Sequence, residues 1–301
     1  YQKLTYTLRV LLMKKVNNRR RDYIQSVWTE LERQSNSPRF VTGIVKLEWQ
    51  TFASAIDHAD LREIAKYLDL LHSGKVIVLQ NAYSKEDCEQ IIKSCINWTT
   101  QQSESFSPTV DGAPDFYQSI DVSQASKSFY SFKRIQKQFY LYRWNNDPYK
   151  LFPLADKTWT RFKTMSGWSA DEFCANKPSD GVVDRLHIHH YPKGLGGQEL
   201  HADPPARQKF IQGFNLTTLG EDYYSGGLYF IQGDNCKVFV DEHLTKGDGY
   251  IAYPTVIHGV EKIDCQSTPD WSMGKGRWFM GFYSMDSDLS ENRNRGWPEK
   301  L

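Results

Sequence analysis

Four residues in the C-terminal half of the chain have types and spacing suited to chemistry: His201 and Asp203 in the triplet His201-Ala202-Asp203, His258 well downstream, and Arg277 after it. In an extended strand successive side chains alternate faces, so a His-x-Asp triplet projects an imidazole and a carboxylate to one side, close enough to share a metal ion. A second histidine brought alongside completes a set of two His and one carboxylate. Such a set on one face of a metal leaves other coordination positions open, which suits a non-haem Fe(II) that must take up both an organic acid and O2. Arg277 is the natural cationic partner for the far carboxylate of a dicarboxylic co-substrate, because a planar guanidinium can grip that group with two parallel hydrogen bonds. A lone His-x-Asp is commonplace in cores and on surfaces, so the weight of this reading rests on what surrounds it.

The elements that must position these residues are short strands. Val182 to Tyr191 alternates so that His187, His189 and Tyr191 share one face, with Leu186, Ile188 and His190 on the other. Pro192-Lys193-Gly194 and Gly196-Gly197 form a turn that returns the chain as the strand carrying His201. Phe214–Thr218, Leu228–Ile231 after the Ser225-Gly226-Gly227 turn, Val238–Val240, Gly249–Tyr253, Thr255–Val260 and Arg277–Tyr283 complete a set of strands spaced by turn residues, the rhythm of a jelly roll. Positions 204 to 257 separate Asp203 from His258, enough chain for the strands that would bring them together.

Upstream the pattern is helical. Leu4, Leu8, Leu11 and Leu12, then Val27, Trp28 and Leu31, recur at helical spacing, with Arg19-Arg20-Arg21 interrupting the stripe as a solvated face or a helix junction. Residues 35–38 read as a linker, and Asp60 to His72 as a helix stopped by Ser73-Gly74. The chain therefore divides into an N-terminal helical extension, 1–74, and a catalytic-type β domain, 75–301. Within the latter, Val76–Leu79 suits a buried strand, and Ser84 with Asp87 three residues on starts a helix that turns Cys88, Ile91 and Cys95 inward. Thr99–Ala125, rich in Ser, Gln, Asp and Pro, is the first choice for a segment covering a site. Phe129–Tyr142 is aromatic and basic, and Lys157–Asn176 again looks helical.

With 301 residues, 40% of them hydrophobic, the chain can bury a substantial core. Its 37 basic residues nearly balance 36 acidic ones, so composition gives no electrostatic case for nucleic acid, and no apolar run is long enough to span a membrane. Aromatics at 14% fit a β-rich core or the walls of a pocket. Cys88, Cys95, Cys174, Cys236 and Cys265 are scattered without a C-x-x-C pair, which argues against a zinc ribbon or a disulfide framework and for a reducing, cytoplasmic setting. The chain begins at Tyr1, so an upstream targeting segment is compatible with it.

Taken jointly, the motifs from Lys75 to Ser284 resemble the Fe(II)- and 2-oxoglutarate-dependent dioxygenases, in particular their prolyl-hydroxylase-like branch. Val76 through Cys88 looks like that branch's opening strand and helix. Tyr191-Pro192 precedes His201-Ala202-Asp203, and Ser225-Gly226-Gly227, His258 and Arg277-Trp278-Phe279 follow in the family's order. The resemblance implies a mainly β, α+β fold: a double-stranded β-helix, or jelly roll, with flanking helices. It implies that His201, Asp203 and His258 ligate iron, that Arg277 pairs with the C5 carboxylate of 2-oxoglutarate, and that Tyr191 hydrogen-bonds it. Fe(II), 2-oxoglutarate and O2 would be the cofactor and co-substrates, with ascorbate as a candidate reductant. Two departures stand out. Asn215 takes the place where some members have a second co-substrate tyrosine, and 19 positions (277 − 258) separate His258 from Arg277, with Pro269-Asp270-Trp271 in between. If that loop displaces Arg277, Lys262 or Lys275 is the alternative anchor, though neither has a bidentate fork.

Retention of Asp203, which halogenating relatives replace by a small residue, favours hydroxylation or a desaturation derived from it. The expected activity is hydroxylation of an unactivated C–H bond of a small molecule, with 2-oxoglutarate decarboxylated to succinate; a prolyl or other residue of a protein is the alternative substrate. His187, His189 and Arg207 are candidate substrate contacts, the histidines competing with a structural role and Arg207 with an ordinary surface arginine. The rival of another class is a non-catalytic jelly-roll binding protein, which would need a degenerate metal set.

Overall fold

The computed structural model describes residues 2–123, 131–205, 207 and 209–301, with the side chains of residues 2–17 outside the description. The first half of the expected helical stripe, Leu4 to Leu12, falls among those side chains, and Ala125 and Phe129 lie outside the described residues. The helices are α1 (Gln2–Gln34), α2 (Trp49–Asp57), α3 (Leu61–His72), α4 (Lys85–Gln101) and α5 (Leu151–Met165). The strands are β1 (Gly43–Glu48), β2 (Lys75–Gln80), β3 (Phe116–Ile120), β4 (Arg134–Tyr142), β5 (Val182–Pro192), β6 (Gly197–Ala202), β7 (Ile211–Asn215), β8 (Gly227–Ile231), β9 (Lys237–Phe239), β10 (Gly249–Ala252), β11 (His258–Glu261), β12 (Gly276–Asp286) and β13 (Trp297–Pro298).

Hydrogen bonding runs β1-β2-β10-β7-β12-β5-β4-β6-β11-β8-β9, with β3 on β4 and β13 on β6. β4 joins two halves, since residues 137–142 pair with β5 while Arg134 and Ile135 pair with β6. The longest ladder joins β5 and β12, antiparallel from Gly276↔Pro192 to Asp286↔Val182. It makes a rigid floor on which alternate residues face the cavity described below. This is the jelly roll expected from the strand rhythm.

Local chemistry explains most element ends. Ser84 and Asp87 form a reciprocal capping box at α4, and the Asp60 side chain accepts from Glu63 N at α3. β2 is buried through Val76–Leu79 because β1 and β10 flank it, each side chain contributing about 1.5–3 kcal/mol of apolar burial. Its partner β1, unexpected from the sequence, lies before the boundary at 74. Ile24 and Trp28 of α1, Phe52 of α2 and Leu68 of α3 belong to the same core cluster as β2, so residues before 75 pack into the sheet's own core.

Three local expectations need correction. Arg19–Arg21 are not a helix junction, since α1 is one helix, but they do stand on its solvated face, with Arg19 and Arg21 exposed and Arg20 donating to Ile56 O at the end of α2. The expected 157–176 helix begins at Leu151, where Asp147 accepts from Leu151 N and Phe152 N, and stops at Met165. Gly167 at φ +81 ends it, with Gly167 N and Trp168 N closing back onto Thr164 O and Lys163 O. Finally, Thr99–Ala125 is not one long loop, because α4 runs to Gln101 and β3 forms from Phe116.

Candidate active site

His201 and His258 come together by strand pairing. β11 runs antiparallel to β6 with His258 opposite His201, and the ring centroids are 4.1 Å apart. Asp203 follows the end of β6, tied by its backbone N–H to Pro254 O. One ligand atom from each of His201, Asp203 and His258 lies within 4.8 Å of the other two, and His258 Nε2 is 3.7 Å from Asp203 Oδ2.

Both imidazoles are oriented by the same device. His201 Nδ1 contacts Glu199 O at 2.8 Å and His258 Nδ1 contacts Val256 O at 2.9 Å, each a backbone carbonyl two residues earlier. A carbonyl only accepts, so Nδ1 carries the proton in both rings and Nε2 presents its lone pair, the arrangement that metal-ligating histidines use. Phe132 stacks on His201 at 3.9 Å and Phe230 on His258 at 5.3 Å, fixing the ring planes. Burial depresses both pKa values, His201 well below the ordinary range, so both imidazoles are neutral. Burial raises the Asp203 carboxyl, with His258 and Arg134 opposing, while the side chain keeps 29% exposure toward the cavity. Two neutral imidazole lone pairs and one carboxylate fit a divalent transition metal, and three protein ligands leave coordination positions for other groups. Gln198 also reaches His201, Nε2 to Nε2 at 3.1 Å, so ligation at that nitrogen requires the Gln198 amide to turn aside.

The triad opens on a cavity of about 690 Å³ whose walls come from both halves of the sheet. Tyr191, Arg277, His187, His189 and Arg207 all line it. So do Phe106–Thr109 and Phe116, from the segment expected to cover a site. Asn215, Lys262 and Lys275 are not among the lining residues. Arg277 is 2% exposed and its fork is already engaged: Nε and Nη2 bond Asp241 Oδ2 and Oδ1 at 2.6 and 3.0 Å, and Nη2 also bonds Asn215 Oδ1 at 2.9 Å. The two-bond grip on a ligand carboxylate expected of Arg277 is thus spent within the protein, which leaves Nη1 as the edge for the cavity. Asn215 stands behind Arg277, its amide also donating to Asp241 Oδ1 at 3.1 Å. Tyr191, whose hydroxyl burial pushes up to about 12, donates to Gln198 Oε1 at 2.8 Å. Arg207 is ion-paired with Asp286 at 2.7 Å.

Asp241 escaped the sequence reading because a single Asp among Val, Glu and His has no pattern. Burial would raise its pKa, but the charge and hydrogen bonds of Arg277 more than offset this and hold it below the ordinary value. Tyr223 Oη and Leu228 N complete its coordination at 2.7 and 3.0 Å. The cluster also explains the Gly-Gly turn: Gly227 has φ +109, and a Cβ there would run into the Asp241 carboxylate. That glycine pair was the available signal for a buried group opposite.

No family model matches the chain, and no curated protein does. Among solved structures, Neurospora crassa T7H in complex with alpha-KG and thymine is 11% identical, with TM-score 0.50 over 84% of this chain and 88% of that one. A Pseudomonas putida prolyl-4-hydroxylase is 12% identical, with TM-score 0.48 over 73% of this chain and 98% of that one. A putative 2OG-Fe(II) oxygenase family protein from Caulobacter crescentus is 13% identical, with TM-score 0.46 over 80% and 86%. The likeness to T7H establishes the shared fold, which is the one the sequence resemblance implied.

Proposed function

We propose that this chain is an Fe(II)- and 2-oxoglutarate-dependent oxygenase that hydroxylates a C–H bond of a small molecule. The observation that carries the reading is the triad itself: two histidines locked by backbone carbonyls so that Nε2 carries the lone pair, beside a carboxylate, at a cavity also lined by Arg277 and Tyr191. When bound, iron and 2-oxoglutarate supply the oxidising chemistry, in which O2 is consumed, the co-substrate becomes succinate and CO2, and one oxygen atom is added to the substrate. The chain's own residues do the positioning. The Glu199 and Val256 carbonyls set the imidazole tautomers, Phe132 and Phe230 hold the ring planes, and the aromatic side chains of the cavity wall supply apolar surface for a substrate. Arg277 Nη1 offers a single charge-assisted contact to the far carboxylate of 2-oxoglutarate, with Asp241 and Asn215 fixing its direction. A volume of about 690 Å³, walled by Phe106–Thr109, falls in the range of small-ligand pockets and favours a small molecule over a protein segment.

Anaerobic titration with Fe(II) and 2-oxoglutarate tests this directly. A weak visible charge-transfer band should grow in, and succinate should form on admitting O2 with a substrate. Metal binding and 2-oxoglutarate turnover that persist in H201A and D203A would show the triad assignment to be wrong, and turnover with peptides alone would move the substrate class to proteins.

A further inference from the structure

Away from the triad, β5 lays four polar side chains along the cavity floor. Arg185, His187, His189 and Tyr191 alternate onto one face, and at about 3.3 Å per residue Arg185 stands roughly 20 Å along the strand from Tyr191. Arg185 differs from three other arginines of the cavity. Arg277 is answered by Asp241, Arg207 by Asp286 and Arg293 by Asp288. Arg185, only partly exposed, is held by neutral groups: Nε donates to His187 Nε2 at 2.6 Å, Nη1 reaches Thr109 Oγ1 at 3.5 Å, and Cζ lies 4.1 Å from the centroid of the Tyr140 ring. None of these contacts among the described residues is a carboxylate. Burial first, and then Arg185 itself, hold His187 far below the ordinary histidine range, so its Nε2 is a neutral acceptor that aims the guanidinium without cancelling its charge.

A second observation points the same way. His189, 6% exposed and two residues nearer the metal end, has its Nε2 buried without a hydrogen-bond partner among the described residues. A buried polar atom without a partner is unfavourable, so one at a cavity wall marks a place where a ligand atom belongs. Phe116, Tyr140 and Tyr283 supply apolar surface nearby.

We infer that the cavity takes an anionic, partly apolar organic substrate whose carboxylate or phosphate is received by Arg185 and whose second polar group meets His189 Nε2. The rest of the molecule then reaches toward the triad. The inference deepens the oxygenase reading and rests on it only for what happens after binding. To test it, the full chain is loaded anaerobically with Fe(II) and 2-oxoglutarate and titrated calorimetrically with 3-phenylpropanoate, phenyl phosphate and the uncharged 3-phenylpropanamide. At least one anion should bind about tenfold or more tighter than the amide, and the tighter of the two identifies the group. R185Q keeps a planar hydrogen-bonding end without charge and should abolish that preference, whereas R185K should restore part of it. An amide that binds as well as the anions, a failure of all three to bind, or a preference that survives in folded R185Q overturns the inference. If R185Q does not fold, the anion-to-amide ratio in the unmutated chain and in R185K decides. The ferrous 2-oxoglutarate band is read in the same samples, so its absence sinks the oxygenase reading separately.

Discussion

The metal triad and the Arg277 cluster lie on the same cavity, yet one is open and the other closed. At the triad the hydrogen bonds that orient the two rings are made on the side away from the partners, through Nδ1 to a carbonyl, so the ligating atoms converge without being satisfied by one another, and His201 Nε2 is met by the uncharged Gln198 amide. In the cluster the charges converge and are satisfied: Asp241 receives Arg277, Asn215, Tyr223 and Leu228 N, and Arg277 spends Nε and Nη2. Residue type does not distinguish these cases. Reactivity toward a ligand depends on which lone pairs and N–H groups the fold leaves unspent.

Breaking the closed cluster should produce the largest effect. D241N leaves the buried Arg277 charge without its counter-ion, and loss of about 3–5 kcal/mol is expected in urea unfolding. A cost under about 1 kcal/mol would show that the cluster is not closed. The pH dependence has a definite sign. Because the folded pKa of Asp241 lies below its unfolded value, the contribution is fully present above about pH 4 and is lost as pH falls through the folded pKa. The unmutated chain should lose this stability at acid pH, and that component should be missing from D241N.

The open site should behave oppositely. D203A should weaken Fe(II) binding by more than about 100-fold while leaving unfolding stability nearly unchanged, since burial already disfavours the Asp203 charge. Chelator competition reads the first and urea titration the second. A D203A chain as destabilised as D241N would erase the distinction between the two regions.

What the sequence carried and what it did not follow the same division. His-x-Asp, the β5 alternation and the Ser84–Asp87 cap are local, set by periods of two or by three-residue spacing, and the structure has each in place. The pairing of His258 with His201 is not local, but the strand rhythm allowed it. Asp241, Gln198 and the half-filled environment of Arg185 were invisible, because each is defined by partners from other strands. β1 was missed because its pairing partner β2 comes after two intervening helices, a contact that periodicity within residues 43–48 does not encode.

Replacing both members of the closed pair by apolar groups, R277M with D241L, should cost much less stability than D241N alone, because no charge is left stranded. The same double variant separates scaffold from binding. If Nη1 of Arg277 meets 2-oxoglutarate, its affinity should fall roughly tenfold, less than a free bidentate arginine would forfeit. Unchanged affinity in the chelate titration would move the anchor to another cation of the cavity, of which Arg134 on β4 is the first to test.

The smallest effect expected is at Gly296, beside β13. A Cβ there would come within 2.5 Å of Asp203 Oδ1 and 2.9 Å of Phe132 Cε1. Asp203 keeps 29% exposure on its cavity side, which gives the carboxylate room to shift, so G296A should fold normally and lower Fe(II) affinity by less than about tenfold, as changes just outside a ligand set do. Chelator competition on G296A and D203A side by side would place the variant between the intact and the ligand-deleted site. A loss as large as that of D203A would mean that the carboxylate is held as rigidly as Asp241, and that the metal end is no more yielding than the arginine cluster.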